Sequence, residues 1–503
     1  METPAIRFYH RGQVQEVSGA PITRTVLQYL REDARCTGTK EGCAAGDCGA
    51  CTVVIGELQA GSTIAFKAVN SCLQFLPTLD GKALITVEDL CQPDGSLHPV
   101  QEAMVTYHGS QCGFCTPGFV MSLWALSQQH QPGAAPLARQ TVCDALTGNL
   151  CRCTGYRPII EAGLRMLTLP APPPGRLDPQ AIAEALRGLQ RQETFHYRAD
   201  SAHFYAPRSI SAFAALRQAE PGMYILAGST DMGLWVTKQC RDLGNLLYVG
   251  HVAELQEISR RDGLIEIGAA VTLERAFAVL TEAHPALQEL WKRFASLPIR
   301  NVGTLGGNIA HGSPIGDSMP ALIALGAEVV LQDGNTRRTL PLEDLYLANQ
   351  QNAMSAGEFV AALRVPDAAS ATAPQHFRAY KLSKRRFDED ISTVCAAFGL
   401  TLASGVIQQA CIAYGGMAAT PKRAAHAEAA HASQPWSVAT VQAAMDALAQ
   451  DYPPQPDRRT SSGYRARVAA NLLYRFWLET CDNALAPEAV NVRAPATDSS
   501  ALT

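Results

Sequence analysis

The segment CAAGDCGAC, residues 43 to 51, decides the fold of the N-terminal part of this 503-residue chain. It places Cys43, Cys48 and Cys51 with four and then two residues between them, and Cys72 follows at the end of a predicted strand. This is the spacing of a plant-type 2Fe-2S site. The glycines of the loop let the backbone wrap around a cluster and direct its N–H groups at the sulfurs. Structural zinc and free buried thiols are the alternatives, but zinc sites usually pair their cysteines as CxxC.

A second set of cysteines lies in QCGFCTPG and NLCRCTGYRPI, and comprises Cys112, Cys115, Cys151 and Cys153. The CxxC half alone fits zinc, a redox dithiol or iron–sulfur. The CxC half favours a compact two-iron cluster held between helix ends, with zinc as the alternative. Pro117 and Pro158 predict that a helix begins just after each loop, where the positive end of the helix dipole stabilises thiolate charge.

Composition limits the classes of protein that the chain can belong to. It has 42 basic and 46 acidic residues, a net charge of −4 and 47% hydrophobic residues, so we expect no nucleic-acid or membrane partner. Neither a spanning segment nor an apolar signal core is found, which predicts a soluble, cytoplasmic protein. There are 15 cysteines, an odd number without an export signal, which indicates metal or redox chemistry rather than disulfides.

The hydrophobic pattern divides the chain into four folded parts, within the three to four domains that its length suggests. A small, mainly β unit is followed by four short helices, then by the proline-rich segment 169–179, which is typical of a linker. Asp178 and Pro179 predict the start of a helix. Two α+β regions follow, and a tail rich in Ala, Pro, Ser and Asp is expected to be disordered.

Two glycine-rich loops mark the third part. LAGSTDMG, residues 226 to 233, follows a predicted strand, and its small residues could form a nest of N–H groups for a pyrophosphate; a plain β-turn is the alternative. The second loop, RNVGTLGGNIAHGSPIGDSMP, covers residues 300 to 320. Two such loops in one domain are consistent with a dinucleotide, although neither contains GxGxxG or a terminal GK[ST].

Several other polar residues have a structural alternative. The basic run Lys384 to Arg386 lies beside the acidic residues 388 to 390, so it is either a self-paired surface turn or a contact near FAD or NAD. Three histidines without a catalytic constellation are expected to be structural: His10, His251 and His311. The cysteines outside the two sets are expected to be buried small hydrophobes: Cys36, Cys91, Cys143, Cys240, Cys395, Cys411 and Cys481.

CAAGDCGACTV with Cys72, QCGFCTPGFVMS and LCRCTGYRPIIEA resemble, in order, the two-cluster iron–sulfur module of the molybdenum hydroxylase family, which includes xanthine dehydrogenase and aldehyde oxidase. GSTDMG, RNVGTLGGNIAHGSPIGD, SKRRFDEDIS and AYGGMA resemble its FAD domain. The resemblance covers residues 1 to about 480 and implies a multidomain α+β fold. Its implied parts are a ferredoxin-like β-grasp domain (1–91), a four-helix 2Fe-2S domain (92–168), a linker (169–200), an α+β FAD-binding domain (201–366), an α+β C-terminal flavoprotein domain (376–482) and a disordered tail (483–503).

The resemblance also implies the site residues. The two clusters would be held by Cys43, Cys48, Cys51 and Cys72, and by Cys112, Cys115, Cys151 and Cys153. Asp231 departs from the glutamate that the family often has, so a direct contact from it to the flavin is less secure. FAD would be bound by Ile225, Leu226, Ala227, Gly228, Ser229, Thr230, Asp231, Met232, Phe294, Thr304, Leu305, Gly306, Gly307, Asn308, Asp317 and Lys422.

Within this family, the chain resembles the iron–sulfur and FAD small subunit of the bacterial two-subunit xanthine dehydrogenases. It implies a large partner subunit that binds molybdopterin, two copies of each subunit per complex, and electron transfer from molybdenum through both clusters and FAD to NAD. No catalytic residue of the hydroxylation is then expected in this chain. A subunit for another substrate, a stand-alone NADH-dependent iron–sulfur flavoprotein reductase and a zinc-bearing interaction module are the alternatives.

Overall fold

The computed structural model describes residues 4–59, 63–92, 94–130, 137–170, 177–349, 351–383, 391–453 and 460–490. Within these ranges the chain folds into successive units of mixed helix and sheet, which confirms the multidomain α+β class. Over the same residues, no helix combines the length and the apolar composition that a membrane span requires. The basic run Lys384 to Arg386 lies outside the described residues.

The first unit is a five-stranded mixed sheet packed against a short helix. Its strand order is β2-β1-β5-β3-β4, and only the β1–β5 pairing is parallel. Alternating apolar residues of the strands face the helix, where the rings of Phe8 and Tyr29 meet edge to face at 5.4 Å. The elements are β1 (Ile6–His10), β2 (Gln13–Val17), α1 (Val26–Gln28, continued by a wider turn at Tyr29–Asp33), β3 (Thr52–Leu58), β4 (Ile64–Asn70) and β5 (Ala83–Ile85).

Four helices form the second unit, as the sequence predicts: α2 (Pro99–Thr106), α3 (Thr116–Ser127), α4 (Arg139–Ala145) and α5 (Arg157–Arg165). A proline lies in the first turn of α3 and of α5, so Pro117 and Pro158 start the helices that follow the two cysteine loops. Trp124, 2% exposed, packs edge to face on Phe66 of the first sheet at 5.1 Å. The two units therefore share one apolar core.

The segment between the second and third units is more ordered than a linker. Helix α6 (Pro179–Leu189) begins at Asp178, whose carboxylate accepts the N–H of Gln180, as predicted. Strand β6 (Phe195–Ala199) follows and pairs with the next strand in the sheet of the third unit. The sheet of the third unit therefore includes Phe195–Ala199, which lies within the segment that the sequence assigns to a linker.

Two sheets and seven helices frame the third unit within the described residues. One sheet has the order β6-β7-β9-β8 and the other β10-β11-β16-β12-β13, with a small β14–β15 pair beside them. The elements are β7 (Ala202–Ala206), α7 (Ile210–Ala219), β8 (Tyr224–Leu226), α8 (Met232–Thr237), β9 (Leu246–Tyr248), β10 (Ile258–Arg261), β11 (Leu264–Gly268), α9 (Leu273–Ala283), α10 (Gln288–Arg293), α11 (Leu297–Arg300), α12 (Leu305–His311), α13 (Ser318–Ala324), β12 (Glu328–Asp333), β13 (Thr336–Pro341), β14 (Tyr346–Ala348), β15 (Gln351–Asn352) and β16 (Phe359–Pro366).

The C-terminal unit is a four-stranded antiparallel sheet covered by helices. Its elements are β17 (His376–Ser383), β18 (Ser392–Ala403), β19 (Val406–Gly415), β20 (Lys422–Arg423), α14 (Ala425–His431), α15 (Val438–Asp451) and α16 (Ser462–Thr480). The tail that the sequence predicts to be disordered from 483 includes a short helix, α17 (Pro487–Val490). Two of the seven other cysteines, Cys91 and Cys240, are exposed, so the expectation that all seven are buried is wrong for these.

Candidate iron–sulfur and flavin sites

The first group of thiols lies in the loop before β3 and just after β4. The sulfur of Cys43 accepts three backbone N–H groups at 3.3 to 3.4 Å, from Ala45, Asp47 and Cys48. Gly46 and Gly49 have φ of 74° and 68°, which lets the loop wrap around its own sulfur atoms. The loop therefore presents backbone donors to sulfur, as the sequence predicts for a cluster site.

The four thiols of this loop associate in pairs. Cys43 is hydrogen-bonded to Cys48, and the sulfurs of Cys51 and Cys72 are 3.3 Å apart. The hydrogen bond from Cys48, with help from the backbone N–H groups and against partial burial, lowers the pKa of Cys43 to about 5. The bond to Cys43 raises the pKa of Cys48 correspondingly. Two neighbouring pairs of thiols suit a centre with two metal ions, one for each pair.

The second group of thiols lies between helix ends near the surface. Cys115 immediately precedes α3, while Cys112 and Cys153 are exposed and hydrogen-bonded to each other. Burial, followed by a hydrogen bond with Cys151, raises the pKa of Cys115 to about 12. The N–H and hydroxyl of Thr154 donate to the Cys151 sulfur at 3.4 and 3.2 Å and lower its pKa, although burial opposes them.

The two thiol groups are joined directly. The N–H of Leu150 donates to the carbonyl of Cys48 at 3.0 Å, and the buried Asn149 side chain donates to the carbonyl of Gly49 at 3.2 Å. Ser122 of α3 holds the other end of the Asn149 amide at 2.7 Å. The loop that carries Cys151 is therefore fixed against the loop that carries Cys48.

Among the described residues, no three or more His, Cys, Asp or Glu side chains converge on a position suited to a single metal ion. Both groups instead show a two-plus-two arrangement of thiols, with backbone or hydroxyl donors at a sulfur. These features fit the four-thiolate ligand set of a 2Fe-2S cluster in each group.

A cavity of about 620 Å³ lies in the third unit between the two glycine-rich loops. The cavity is lined by residues of both loops that the sequence predicts to bind FAD. The first loop contributes Ala227 to Met232, and the second contributes Thr304, Gly306, Gly307 and Asn308. A Cβ on Gly228 would lie 2.0 Å from the carbonyl oxygen of Val302, so only glycine allows the loops to approach this closely. The volume is within the range of cofactor pockets.

One polar group of the first loop, the Ser229 hydroxyl, is buried at the wall of this cavity without a hydrogen-bond partner among the described residues. Ser229 is 4% exposed, has φ of 61°, and its hydroxyl has no hydrogen-bond partner among the described residues. A left-handed serine costs about 1 kcal/mol relative to an ordinary conformation, and an unpaired buried hydroxyl adds to that cost. A ligand with hydrogen-bonding oxygens, such as a diphosphate, would satisfy this group, so the residues present fit a dinucleotide.

Other walls of the cavity were partly predicted from the sequence. Ile225 and Phe294 line it, as expected for FAD-binding residues. His311, which the sequence suggested to be structural, also lines it, and its Nε2 is 3.8 Å from a carboxylate oxygen of Asp231. Trp235 lies beside His311, with 6.3 Å between ring centroids, and sequence reasoning missed it because no local motif marks it.

Four of the predicted FAD residues are not among those that line the cavity. Leu226 and Leu305 are fully buried beneath the loops. Asp317 forms a buried ion pair with Lys381 of β17 at 2.6 Å, so it connects the third unit to the fourth. Lys422 lies over the ring of Tyr452 at 5.2 Å, within the C-terminal unit.

Two groups of four paired thiols, joined to each other and followed by a glycine-lined cavity with an unpaired buried hydroxyl, define an iron–sulfur flavoprotein. Comparison with protein families gives the same order of domains. The matches are "2Fe-2S iron-sulfur cluster binding domain" at residues 8–75, "[2Fe-2S] binding domain" at 86–164, "FAD binding domain in molybdopterin dehydrogenase" at 196–368 and "CO dehydrogenase flavoprotein C-terminal domain" at 378–480. The chain belongs to the molybdenum hydroxylase family and carries its 2Fe-2S and FAD domains.

Curated relatives are similar over most of the chain. Xanthine dehydrogenase of Drosophila subobscura is 31% identical over 95% of this chain and 39% of its own length. Aldehyde oxidase 2 of Cavia porcellus is 29% identical over 90% of this chain and 38% of its own length. The chain thus spans about two fifths of the length of the relatives it matches.

A solved structure resembles part of the chain. The carbon monoxide dehydrogenase from Hydrogenophaga pseudoflava that lacks the Mo-pyranopterin moiety aligns with a TM-score of 0.50 and 29% identity. The alignment covers 54% of this chain and 94% of the chain in the solved structure.

Proposed function

We propose that this chain is the electron-transfer subunit of a xanthine dehydrogenase, which takes electrons from a molybdopterin-binding partner subunit and delivers them to NAD. When bound, the two 2Fe-2S clusters supply one-electron transfer and FAD supplies the exchange between single electrons and a hydride. In this proposal the clusters are held by Cys43, Cys48, Cys51 and Cys72, and by Cys112, Cys115, Cys151 and Cys153.

The observation that carries the proposal is the continuous series of contacts from the exposed thiols to the flavin cavity. Cys112 is exposed, Leu150 bonds the second thiol loop to the first, and Gln74 donates to the Gly228 carbonyl at 2.8 Å. Thr237 of α8 also donates to the Ala44 carbonyl at 2.8 Å. The loops that carry the candidate redox sites are thus in contact in this order, an arrangement that suits serial electron transfer.

The role of the third unit in this proposal is to hold FAD. The N–H groups of the first loop and the hydroxyl of Ser229 would bind the diphosphate, and Phe294 would pack beside the flavin ring. Gly306 lets the second loop pack closely on Ala269, because a Cβ on Gly306 would lie 2.4 Å from that of Ala269. A Cβ on Gly307 would lie 2.8 Å from the Thr304 hydroxyl, which caps the helix of the same loop. Leu226 and Leu305 would support these loops from beneath, and Asp317 would fix the C-terminal unit against them.

The surface beside the second thiol group supports a partner there. Phe114 is 46% exposed, and Leu150 and Tyr156 are each 36% exposed, next to the exposed Cys112 and Cys153. An apolar surface around a redox site is suited to burial against another protein. We propose that the large subunit docks here, in a complex with two copies of each subunit.

Purification of the tagged chain from its native cells tests the proposal. The expected result is co-migration with a molybdenum-containing subunit and xanthine-dependent reduction of NAD. Phe114→Asp should release molybdenum and abolish this activity, while flavin and iron remain bound. Leu347→Asp is the matched control, because Leu347 is 67% exposed in the third unit, and it should retain the complex.

Two outcomes would contradict the proposal. A chain without a partner that oxidises NADH at full rate would support the stand-alone reductase. A molybdenum complex inactive with xanthine but active with an aldehyde or another N-heterocycle would change the substrate and leave the electron-transfer role intact.

A further inference from the structure

Gln74 belongs to the iron–sulfur unit, yet its side chain contacts the loop that lines the flavin cavity. It is 5% exposed, it lies two residues after Cys72, and its amide Nε2 donates to the backbone carbonyl of Gly228 at 2.8 Å. The residues it joins are 154 positions apart in the chain.

The hydrogen bond fixes the orientation of one peptide group. In a planar trans peptide the C=O and the following N–H point in opposite directions. Because Gln74 holds the Gly228 carbonyl, the N–H of Ser229 points away from the iron–sulfur unit, and Ser229 lines the cavity.

The loop is held in a conformation that it would not favour alone. Ser229 has φ of 61°, in the left-handed region that disfavours residues with a side chain. Gly228 also packs against the backbone of the second loop, since a Cβ on it would lie 2.0 to 2.6 Å from atoms of Val302 and Gly303. The Gly228 peptide therefore has little room to move. The Gln74 amide is the side-chain donor that reaches the Gly228 carbonyl among the described residues.

A second contact fixes the same two parts of the chain. Thr237, in the helix that follows the loop, donates to the Ala44 carbonyl of the first thiol loop. Leu73, next to Gln74 in sequence, belongs to a buried cluster against which Leu234 and Ile299 of the third unit pack. The flavin loop is therefore attached to the iron–sulfur unit at several points, and Gln74 is the one that acts on the peptide facing the cavity.

We propose that Gln74 is a cross-domain positioning residue, which orients the Gly228–Ser229 peptide so that its N–H is directed to the FAD diphosphate. The proposal rests on the proposed binding of FAD in this cavity. It means that the flavin site is completed by a side chain of the iron–sulfur domain.

The test compares Gln74→Leu with Gln190→Leu in the full-length chain. Gln190 is a matched control because its Nε2 donates to another glycine carbonyl, that of Gly81, at 3.1 Å and away from the cavity. After removal of FAD, titration with FAD should give a Kd about 5- to 10-fold higher for Gln74→Leu, as expected for the loss of one orienting hydrogen bond. Gln190→Leu should stay within about twofold of the unsubstituted chain.

A second readout does not depend on FAD. Amide hydrogen exchange in the FAD-free chain should become faster for the segment 226–233 in Gln74→Leu only, because the peptide is no longer held. The iron–sulfur absorbance should be the same in both variants. Unchanged FAD affinity together with unchanged exchange in Gln74→Leu would overturn the proposal, whereas failure of the unsubstituted chain to bind FAD would overturn the proposed function instead.

Discussion

Gly118 in the first turn of α3 lies where this helix packs against the first thiol loop. A Cβ at this position would lie 2.1 Å from the carbonyl oxygen of Gly49, which belongs to the first thiol loop. Replacement of a helical glycine by alanine normally stabilises a helix by up to about 1 kcal/mol. We expect Gly118→Ala to destabilise the protein, because the added methyl cannot fit without moving α3 or the loop.

The magnitude follows from the size of the overlap. A carbon and an oxygen in contact are usually about 3.3 Å apart, so α3 and the loop would have to separate by roughly 1 Å. Overpacking of a well-packed interior costs about 1 to 3 kcal/mol. Gly188 in α6 provides a matched control, since nothing lies within 4 Å of its added Cβ. Gly188→Ala should be neutral or stabilise by up to about 1 kcal/mol, so the two variants should differ by about 1 to 4 kcal/mol.

Urea titration followed by the iron–sulfur absorbance measures the difference, since the loss of this absorbance reports unfolding of the two units. Gly118→Ala should lose its absorbance at a lower urea concentration than the unsubstituted chain, with Gly188→Ala at the same or a higher one. If Gly118→Ala is as stable as Gly188→Ala, the close packing of α3 on the first thiol loop is wrong.

Gly228→Ala should abolish FAD binding in a titration, because the added Cβ would lie 2.0 Å from a backbone carbonyl oxygen. Gly222→Ala is the control and should bind FAD normally, because Gly222 lines the same cavity and its added Cβ has no atom within 4 Å. Thr154→Val should lower the reduction potential of the second cluster by on the order of 40 mV in a redox titration, since it removes a hydroxyl that would stabilise the more negative, reduced state at the Cys151 sulfur. His431 is 1% exposed and burial lowers its pKa to about 4, so only the unfolded chain takes up its proton as the pH falls below about 6.5. Between pH 7.5 and pH 5 the free energy of unfolding should fall by about 2 kcal/mol through this residue, and urea unfolding of His431→Phe should lack that loss; equal pH dependence in both proteins would contradict the assignment.

The sequence predicted correctly where several helices begin and which loop surrounds a sulfur atom. Pro117 and Pro158 start helices, and Asp178 caps another, because these effects depend on residues within one turn. The spacing from Cys43 to Cys51 also identified a loop that places its own N–H groups on sulfur. Such patterns carry their physical cause within a few residues.

Contacts between distant parts of the chain could not be predicted in this way. The bond from Gln74 to Gly228 and the ion pair of Asp317 with Lys381 join residues that no local pattern relates. Trp235 in the cavity wall belongs to no motif for the same reason. The sequence therefore indicated which loops would bind cofactors, and only the packing of the units reveals which side chains from elsewhere complete them.

We infer that this chain carries two distinct 2Fe-2S clusters and one FAD, held by the two groups of cysteines and the glycine-lined cavity. Metal and flavin analysis combined with electron spin resonance of the reduced protein tests it most directly. We predict about four irons and one FAD per chain, with two different iron–sulfur signals. Cys115→Ser should remove the signal of the second cluster and leave that of the first. Zinc in place of iron, or both signals intact in Cys115→Ser, would contradict the account.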